Sequence, residues 1–398
     1  MKKSLFAIAA LSLAAGAAHA QSSVTLYGII DAGLTYTNLQ NTGPGVNNAS
    51  HNFQATSGNL YGSRWGLKGT EDLGGGTSAV FNLENGFNIF NGGFGQGGQM
   101  FGRQAYVGLS NMYGTITAGR QYDSMSDFLG VYSASNDWAT SFASHFGDID
   151  NINQSIRLNN ALKYLSPSFG GLTFGGVFGF GNTAGNFSQS RTYAFGASYA
   201  AGPFSVGAGY MNLHNPLTST GTSPYSPVAG RYEGSLSGDY VGLQVADSER
   251  VFGVGGSYAF GPATVNLLWT RTQLRNSQYF VLQGTEASGT DIRFDNYEIS
   301  GKYMLTDAWL VGVSYTYTDG KADNPGLKPK FHQITLGTNY SLSKRTTLYL
   351  VGEFQKAAGD GIVFNGTDSY TNIAEIPALA DSGTDRQVQV TVGIKHSF

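Results

Sequence analysis

Cysteine is absent from all 398 residues, which excludes a disulfide framework and any thiolate metal site. Charge is scarce, with Asp, Glu, Lys and Arg making up 12%. The balance is slightly acidic, 23 Lys and Arg against 26 Asp and Glu, and no basic stripe offers itself to nucleic acid. After residue 20 no apolar run reaches the roughly 20 residues that a membrane-crossing helix needs. What is abundant is glycine (57), tyrosine (23) and phenylalanine (25). Mean hydropathy is nevertheless slightly negative, at -0.16. Few charges without net hydrophobicity is what alternating strands produce when one face meets lipid and the other meets water.

The first 20 residues read as a cleaved export signal. Lys2 and Lys3 precede a short apolar stretch from Leu5 to Ala18, and Ala18-His19-Ala20 is a small-x-small cleavage site. The mature chain is then one unit, residues 21–398. Loss of Lys2 and Lys3 takes the formal charge from -3 to -5, 21 bases against 26 acids.

A two-residue period recurs from end to end. At the C-terminus Val388, Val390, Val392, Ile394 and Phe398 share one face, and Gln389, Thr391, Gly393, Lys395 and Ser397 the other. From Trp309 to Thr318 the odd positions are aromatic or β-branched and the even ones mostly small or hydroxylic. Strands are expected to begin near Val24, Leu60, Ser78, Gln99, Thr115, Ile156, Leu172, Ser190, Phe204, Arg250, Thr264, Arg293, Ala308, Phe331, Thr346 and Gln387. Tight turns at 73–76, 111–114, 261–262, 306–307 and 344–345 alternate with long polar stretches at 38–58, 123–155, 215–246, 276–291 and 359–383. The fold class is all-β: a 16-stranded antiparallel transmembrane β-barrel with short turns at one end, long loops at the other and an aqueous channel inside. Tyr164, Tyr199, Phe260, Tyr303, Trp309, Tyr340 and Phe398 fall near short turns or the chain end, where an aromatic girdle belongs.

Several runs, taken in order, resemble a known family. They are Val24-Thr25-Leu26-Tyr27-Gly28, Ser63 to Gly69 (SRWGLKG), Gly102 to Leu109 (GRQAYVGL), Gly119-Arg120-Gln121-Tyr122-Asp123 and Arg157 to Pro167. With the export signal and the terminal Phe398, the chain is similar to the general diffusion porins of Gram-negative outer membranes, of the β-proteobacterial type. The resemblance implies a homotrimer in the outer membrane, and a third long loop, here 123–155, folded inward to narrow each pore. Where relatives carry a Pro-Glu-Phe-Gly-like run in that loop, this chain has Ser126-Asp127-Phe128-Leu129-Gly130 and no glutamate.

Strand parity selects the charges that would face the bore. Arg64 and Lys68 oppose Trp65 and Leu67; Arg157 and Lys163 share phase with Asn159 and oppose Leu158, Leu162 and Tyr164. A base on the lipid face at the bilayer midplane costs about 2–4 kcal/mol, which also turns Arg103 inward. Arg120 is placed inward by the resemblance. The loop supplies Asp123, Asp127, Asp137, Asp148 and Asp150. Arginines facing loop carboxylates would set a transverse field across a narrow wet slit and filter solutes by charge; the alternative, that they brace the loop, is compatible with filtering. The pore-constriction candidates are therefore Arg64, Lys68, Arg103, Arg120, Arg157, Lys163, Asp123 and Asp127. Asp31, Glu298 and Lys302 are expected to be solvated wall residues. His51, His145, His214, His332 and His396 are scattered without metal-ligand spacing, and no catalytic Ser/His/Asp grouping or phosphate loop appears.

The expected function is passive diffusion of small hydrophilic solutes and ions, without cofactor, metal or catalysis. A substrate-specific outer-membrane channel is the alternative. Outer-membrane lipid, lipopolysaccharide and small solutes are the expected partners, and nucleic acid is not. Charge counting leaves anion or cation preference open.

Overall fold

The structure, a computed structural model, describes residues 23–42, 49–217, 236, 238–364 and 369–398. The expected leader, residues 1–20, lies outside the described residues. Strand β1 runs Ser23–Asn41, and β2 comes in two halves, Ala49–Ser57 and Arg64–Asp72. Then follow β3 (Ser78–Gly86), β4 (Gln104–Asn111), β5 (Gly114–Gln121), β6 (Leu158–Leu165), β7 (Leu172–Gly179) and β8 (Thr192–Ala201). The rest are β9 (Phe204–His214), β10 (Ser248–Phe260), β11 (Ala263–Ser277), β12 (Thr290–Thr306), β13 (Trp309–Ala322), β14 (Pro329–Ser341), β15 (Thr346–Gly359) and β16 (Arg386–Ser397). Each pairs antiparallel with its neighbours in the chain. β16 returns to β1, from Ile29 opposite Ser397 to Thr37 opposite Gln389. The sheet closes as a 16-stranded barrel and leaves no edge to aggregate.

Alternation becomes two solvents. Leu34, Val107, Leu267, Ile299, Leu336 and Val392 are exposed on the outside, while Thr35, Thr270, Ser300, Thr335 and Thr391 are buried on the inside. In lipid only a closed barrel of strands can satisfy every backbone group between neighbours, so closure and apolar exterior belong together. Tyr199, Phe260, Tyr303, Trp309, Tyr340 and Phe398 are exposed at the short-turn end, whereas Tyr164 is half-buried and donates its hydroxyl to the Tyr113 carbonyl at 2.7 Å.

Two departures from the sequence reading shape the bore. Residues 49–57, expected within a loop, extend β2 alongside β1: Thr35 and Thr56 share a hydroxyl contact at 2.7 Å, and the rings of Tyr36 and Phe53 lie 4.7 Å apart. Its polar positions suit a wet interior. Between the halves, β1 advances from Ile29 to Ala32 while β2 spends Ser57 to Arg64, four residues more, so Gly58–Gly62 forms an insertion. Asp31 holds it, accepting from the Leu60 and Tyr61 amides at 2.7 and 2.9 Å and from the Tyr349 hydroxyl at 2.6 Å. Asp31 is thus a buried anchor rather than a solvated wall residue.

The bore is also not wet throughout. Inward positions Leu274, Ile292, Phe294, Phe331 and Ala357, near the long-loop ends of β11, β12, β14 and β15, pack against Phe146, Ile149 and Tyr240. Phe146 stacks on Phe331 with centroids 4.0 Å apart. Each large side chain so buried is worth about 1.5–3 kcal/mol, enough to hold loop segments against one wall.

Candidate functional site

The segment between β5 and β6 starts with helix α1 (Ser124–Leu129), capped by Asp123, whose Oδ1 accepts from the Met125 and Ser126 amides at 2.6 and 3.2 Å. Its other oxygen accepts from Asn151 Nδ2 at 2.7 Å. Burial and neighbouring Asp127 push the Asp123 carboxyl up to about 6. Met125 and Leu129 pack with Met211 and Val251 on the inner faces of β9 and β10. Only glycine lets the helix come so close: a Cβ on Gly207 would stand 2.4 Å from the Phe128 carbonyl.

A second short helix, α2 (Ala134–Asp137), leads to the opposite attachment. Trp138 lies flat against β13, where a Cβ on Gly312 would meet its ring at 2.4 Å. Asn339 Nδ2 donates to the Trp138 carbonyl at 2.9 Å, Thr140 to Glu353 at 3.3 Å, and Gln333 to the Phe142 and Ser144 carbonyls. Lys302 pairs with Asp137 at 2.5 Å. Glu298 accepts from the Ala134 amide at 2.7 Å and meets His145 Nε2 at 2.9 Å. Glu298 and Lys302 therefore hold the loop and are not merely solvated. From the first strands, the Asn59 carbonyl accepts from the Ser141 amide at 2.7 Å, and Tyr61 donates to the Asp137 carbonyl at 3.1 Å.

His145 sits in the middle of this seat, fully buried between Asp150 at 2.5 Å and Glu298. The two carboxylates outweigh its burial and raise it to about 10. Asp150 is held below the usual carboxylate range by His145 and also takes bonds from Thr270 (2.5 Å) and Asn296 (3.2 Å). Asp148, buried beside Asp150, is pushed up to about 7 and accepts from the amides of Asn153 and Ser155.

A polar cavity of about 220 Å³ remains between the loop and the wall of β2–β6. Arg64, Arg103 and Arg157 line one side; Ser135, Asn136, Asn153, Gln154 and Ser155 line the other. Arg103 Nε donates to Glu84 Oε1 at 2.7 Å, and Arg64 lies 3.9 Å from the same oxygen. Tyr27 donates to the second Glu84 oxygen at 2.8 Å. The Tyr122 ring stands beneath Arg103 and Arg157, at 5.9 and 5.5 Å, a cation–π support that keeps both guanidiniums extended.

The other candidates lie apart from this cavity. Lys68 is over Tyr27 at 5.3 Å, Arg120 bonds to the Gly102 carbonyl (2.8 Å) and Asn159 (2.6 Å), and Lys163 pairs with Asp127 at 2.5 Å. Asp123 caps α1. The loop acids thus serve the loop, and the surface opposite the arginines is neutral, not the carboxylate wall that the sequence suggested. Parity also slips in β6: Leu158 is buried inward with Ala161, because Asn160 adopts φ +51° and the pairing shifts against Gly119. Glu84 was missed, although its phase opposite Phe81 and Leu83 marks it as inward; Tyr122 carries no such signal.

A closed barrel with an apolar outside and a polar, partly obstructed bore defines an outer-membrane channel. The profile of the Gram-negative porins matches residues 7–360. An outer membrane porin protein of Bordetella pertussis is 32% identical over 385 residues, covering 89% of this chain and 94% of that one. Among solved structures, the anion-selective porin from Comamonas acidovorans superposes with a TM-score of 0.69 at 26% identity, over 95% of this chain and 100% of that one. OmpT of Vibrio cholerae in its trimer form shares the fold, with a TM-score of 0.64 at 15% identity over 95% and 99%. This chain belongs to the Gram-negative porin family. It is an outer-membrane channel for passive diffusion, and not an enzyme.

Proposed function

We propose that this porin favours anions, and that Arg64, Arg103 and Arg157 impose the preference at its narrowest wet passage. One observation carries the reading: the charged lining of the cavity is three arginines, with no carboxylate among the lining residues. Glu84 offsets one of them, so three positive charges less one negative leave +2. A narrow passage with low-dielectric walls focuses such a field and raises the local anion concentration. Likeness to a porin described as anion-selective supports the same sign.

The working unit in this reading is a homotrimer, formed after residues 1–20 are removed, with lipid around its outside and lipopolysaccharide at the long-loop end. The trimeric form of a protein with the same fold supports that assembly. Planar bilayers holding the purified protein test the selectivity. Under a KCl gradient the zero-current potential should take the sign of chloride. A potential of the potassium sign overturns the proposal, and saturable block by one solute favours a substrate-specific channel instead.

A further inference from the structure

The outside of the barrel is chemically lopsided. On the outward faces of β10–β15, toward the long loops, stand seven bases (Arg250, Arg271, Arg275, Arg293, Lys321, Lys330 and Lys356) and three acids (Asp291, Asp295 and Asp319). Apart from Arg191, which stands just before β8 and lies over the Phe187 ring at 5.9 Å, the matching ends of β1–β4 and β6–β9 present no Arg, Lys, Asp or Glu outward among the described residues.

The register sorts this side into layers. Arg250, Gln273, Arg293 and Lys321 lie directly across from one another on four adjacent strands. One row nearer the short turns come Phe252, Arg271, Asp295, Asp319 and Lys330. The next row is Val254, Trp269, Tyr297, Tyr317 and His332, and below it Leu267, Ile299, Tyr315 and Ile334. Neighbouring strands stand about 4.8 Å apart, so Arg293 and Lys321 are direct neighbours in the upper row, with Arg250 beyond Gln273; Lys321 also pairs with Asp323 at 2.6 Å.

Asp295 orders two of the guanidiniums. Its oxygens lie 2.5 Å from Arg271 Nε and 3.0 Å from Arg293 Nε, so one carboxylate serves two arginines and one positive charge is left over. Arg271 also stacks near Trp269 and Phe252, at 5.5 and 5.9 Å. Trp269 in turn lines an open apolar groove of about 1180 Å³, shared with Val254, Leu267, Tyr297, Ile299 and Tyr315, with Gly256 in its floor.

We propose that this face is a binding site for one lipid class, the phosphorylated, multiply acylated glycolipid (lipid A) of lipopolysaccharide. Guanidinium groups take phosphate in a bidentate fashion, and the groove directly beneath takes acyl chains. The layering follows the chemistry of such a lipid: phosphates, then the aromatic boundary, then hydrocarbon. A charge on the lipid face costs little near the interface and several kcal/mol at the midplane, so bases are tolerated at this level and not lower. The proposal rests on the outer-membrane reading but not on ion selectivity.

Native mass spectrometry of the detergent-purified full protein, titrated with purified bisphosphorylated lipid A, tests it. The variant Arg271→Gln/Arg293→Gln/Lys321→Gln should bind at least about tenfold more weakly, the equivalent of one lost charge-assisted phosphate contact. Trp269→Ala should weaken binding through the groove alone, and monophosphorylated lipid A should bind the parent less tightly. Unchanged binding by the triple variant, or phosphatidylglycerol binding as tightly as lipid A, overturns the site. Conductance of the same preparations separates the readings: normal current with no lipid preference removes this proposal only, and absent current in the parent removes the channel.

Discussion

Replacing Arg64, Arg103 and Arg157 together by glutamine should carry the zero-current potential through zero, from the chloride side to the potassium side. The parent cavity holds three guanidiniums and the adjacent Glu84, a net +2; the variant keeps Glu84 alone, a net -1. Two unit charges about 4 Å apart interact by about 1 kcal/mol even under full water screening. Two uncompensated charges then amount to roughly a tenfold or greater bias in local ion concentration, since about 1.4 kcal/mol is tenfold. The shift should shrink at high salt, where the Debye length falls to about 3 Å. Arg64→Gln alone should move the potential part of the way, because Arg64 is the more distant of the two from Glu84. A potential unchanged by the triple substitution would mean that these arginines only brace their surroundings.

The second large effect concerns the seat of the loop. His145→Ala removes the one cation between buried Asp150 and Glu298, and breaking a buried pair in this way costs about 3–5 kcal/mol. The barrel should survive, because its strands pair without this contact, but the loop should lose its fixed position. Single-channel records should then show larger and noisier current, and hydrogen exchange should rise at 134–155 while staying low in the strands. The pH dependence has a definite sign. The histidine is raised from its ordinary value to about 10, so its contribution is complete below about 6.5 and is lost as pH climbs through about 10. Asp148 is likewise raised, so the seat is stronger while that carboxyl is protonated and weakens as pH rises through about 7. Asp150 is depressed, so its contribution persists until strong acid protonates it. The loop should be held best in mild acid, loosen progressively until Asp148 is ionised at about 7, and loosen further until His145 is neutral at about 10. In His145→Gln the upper step should vanish; its persistence there would assign the step to another group.

Alternation made the frame readable. Thr35 against Leu34, or Thr391 against Val392, announces which side is wet, and strand starts such as Ser78, Leu172, Phe204 and Thr346 fall where the pattern begins. Polarity concealed the upper half of β2, because Ser50, Asn52 and Gln54 look like a loop until the interior is known to be wet. Local backbone turns defeated parity at Asn160, where one left-handed residue reverses the phase and takes Leu158 inward. Part of the site was legible for a simple reason. A base opposite apolar neighbours has one affordable direction, which pointed Arg64 and Arg157 inward; Arg103 shares phase with Val107 and Leu109, and there the cost of a charge in lipid decided. The roles of the loop acids were not legible, since their partners are distant in sequence: Asp150 meets Thr270, 120 residues away, and Asp137 meets Lys302, 165 away. Those pairings exist only once the barrel has closed, and they turn a supposed acidic wall into a neutral one.

The chain has no cysteine, so any thiol introduced is the sole target in the molecule. The direct measurement is block of single-channel current by a charged, membrane-impermeant methanethiosulfonate reagent acting on Asn136→Cys, Gln154→Cys and Leu267→Cys. The first two positions line the arginine cavity and the third lies on the outside. Current should fall on labelling of Asn136→Cys and Gln154→Cys and stay unchanged for Leu267→Cys; block at Leu267→Cys, with none at the other two, would contradict the arrangement of the barrel and its loop.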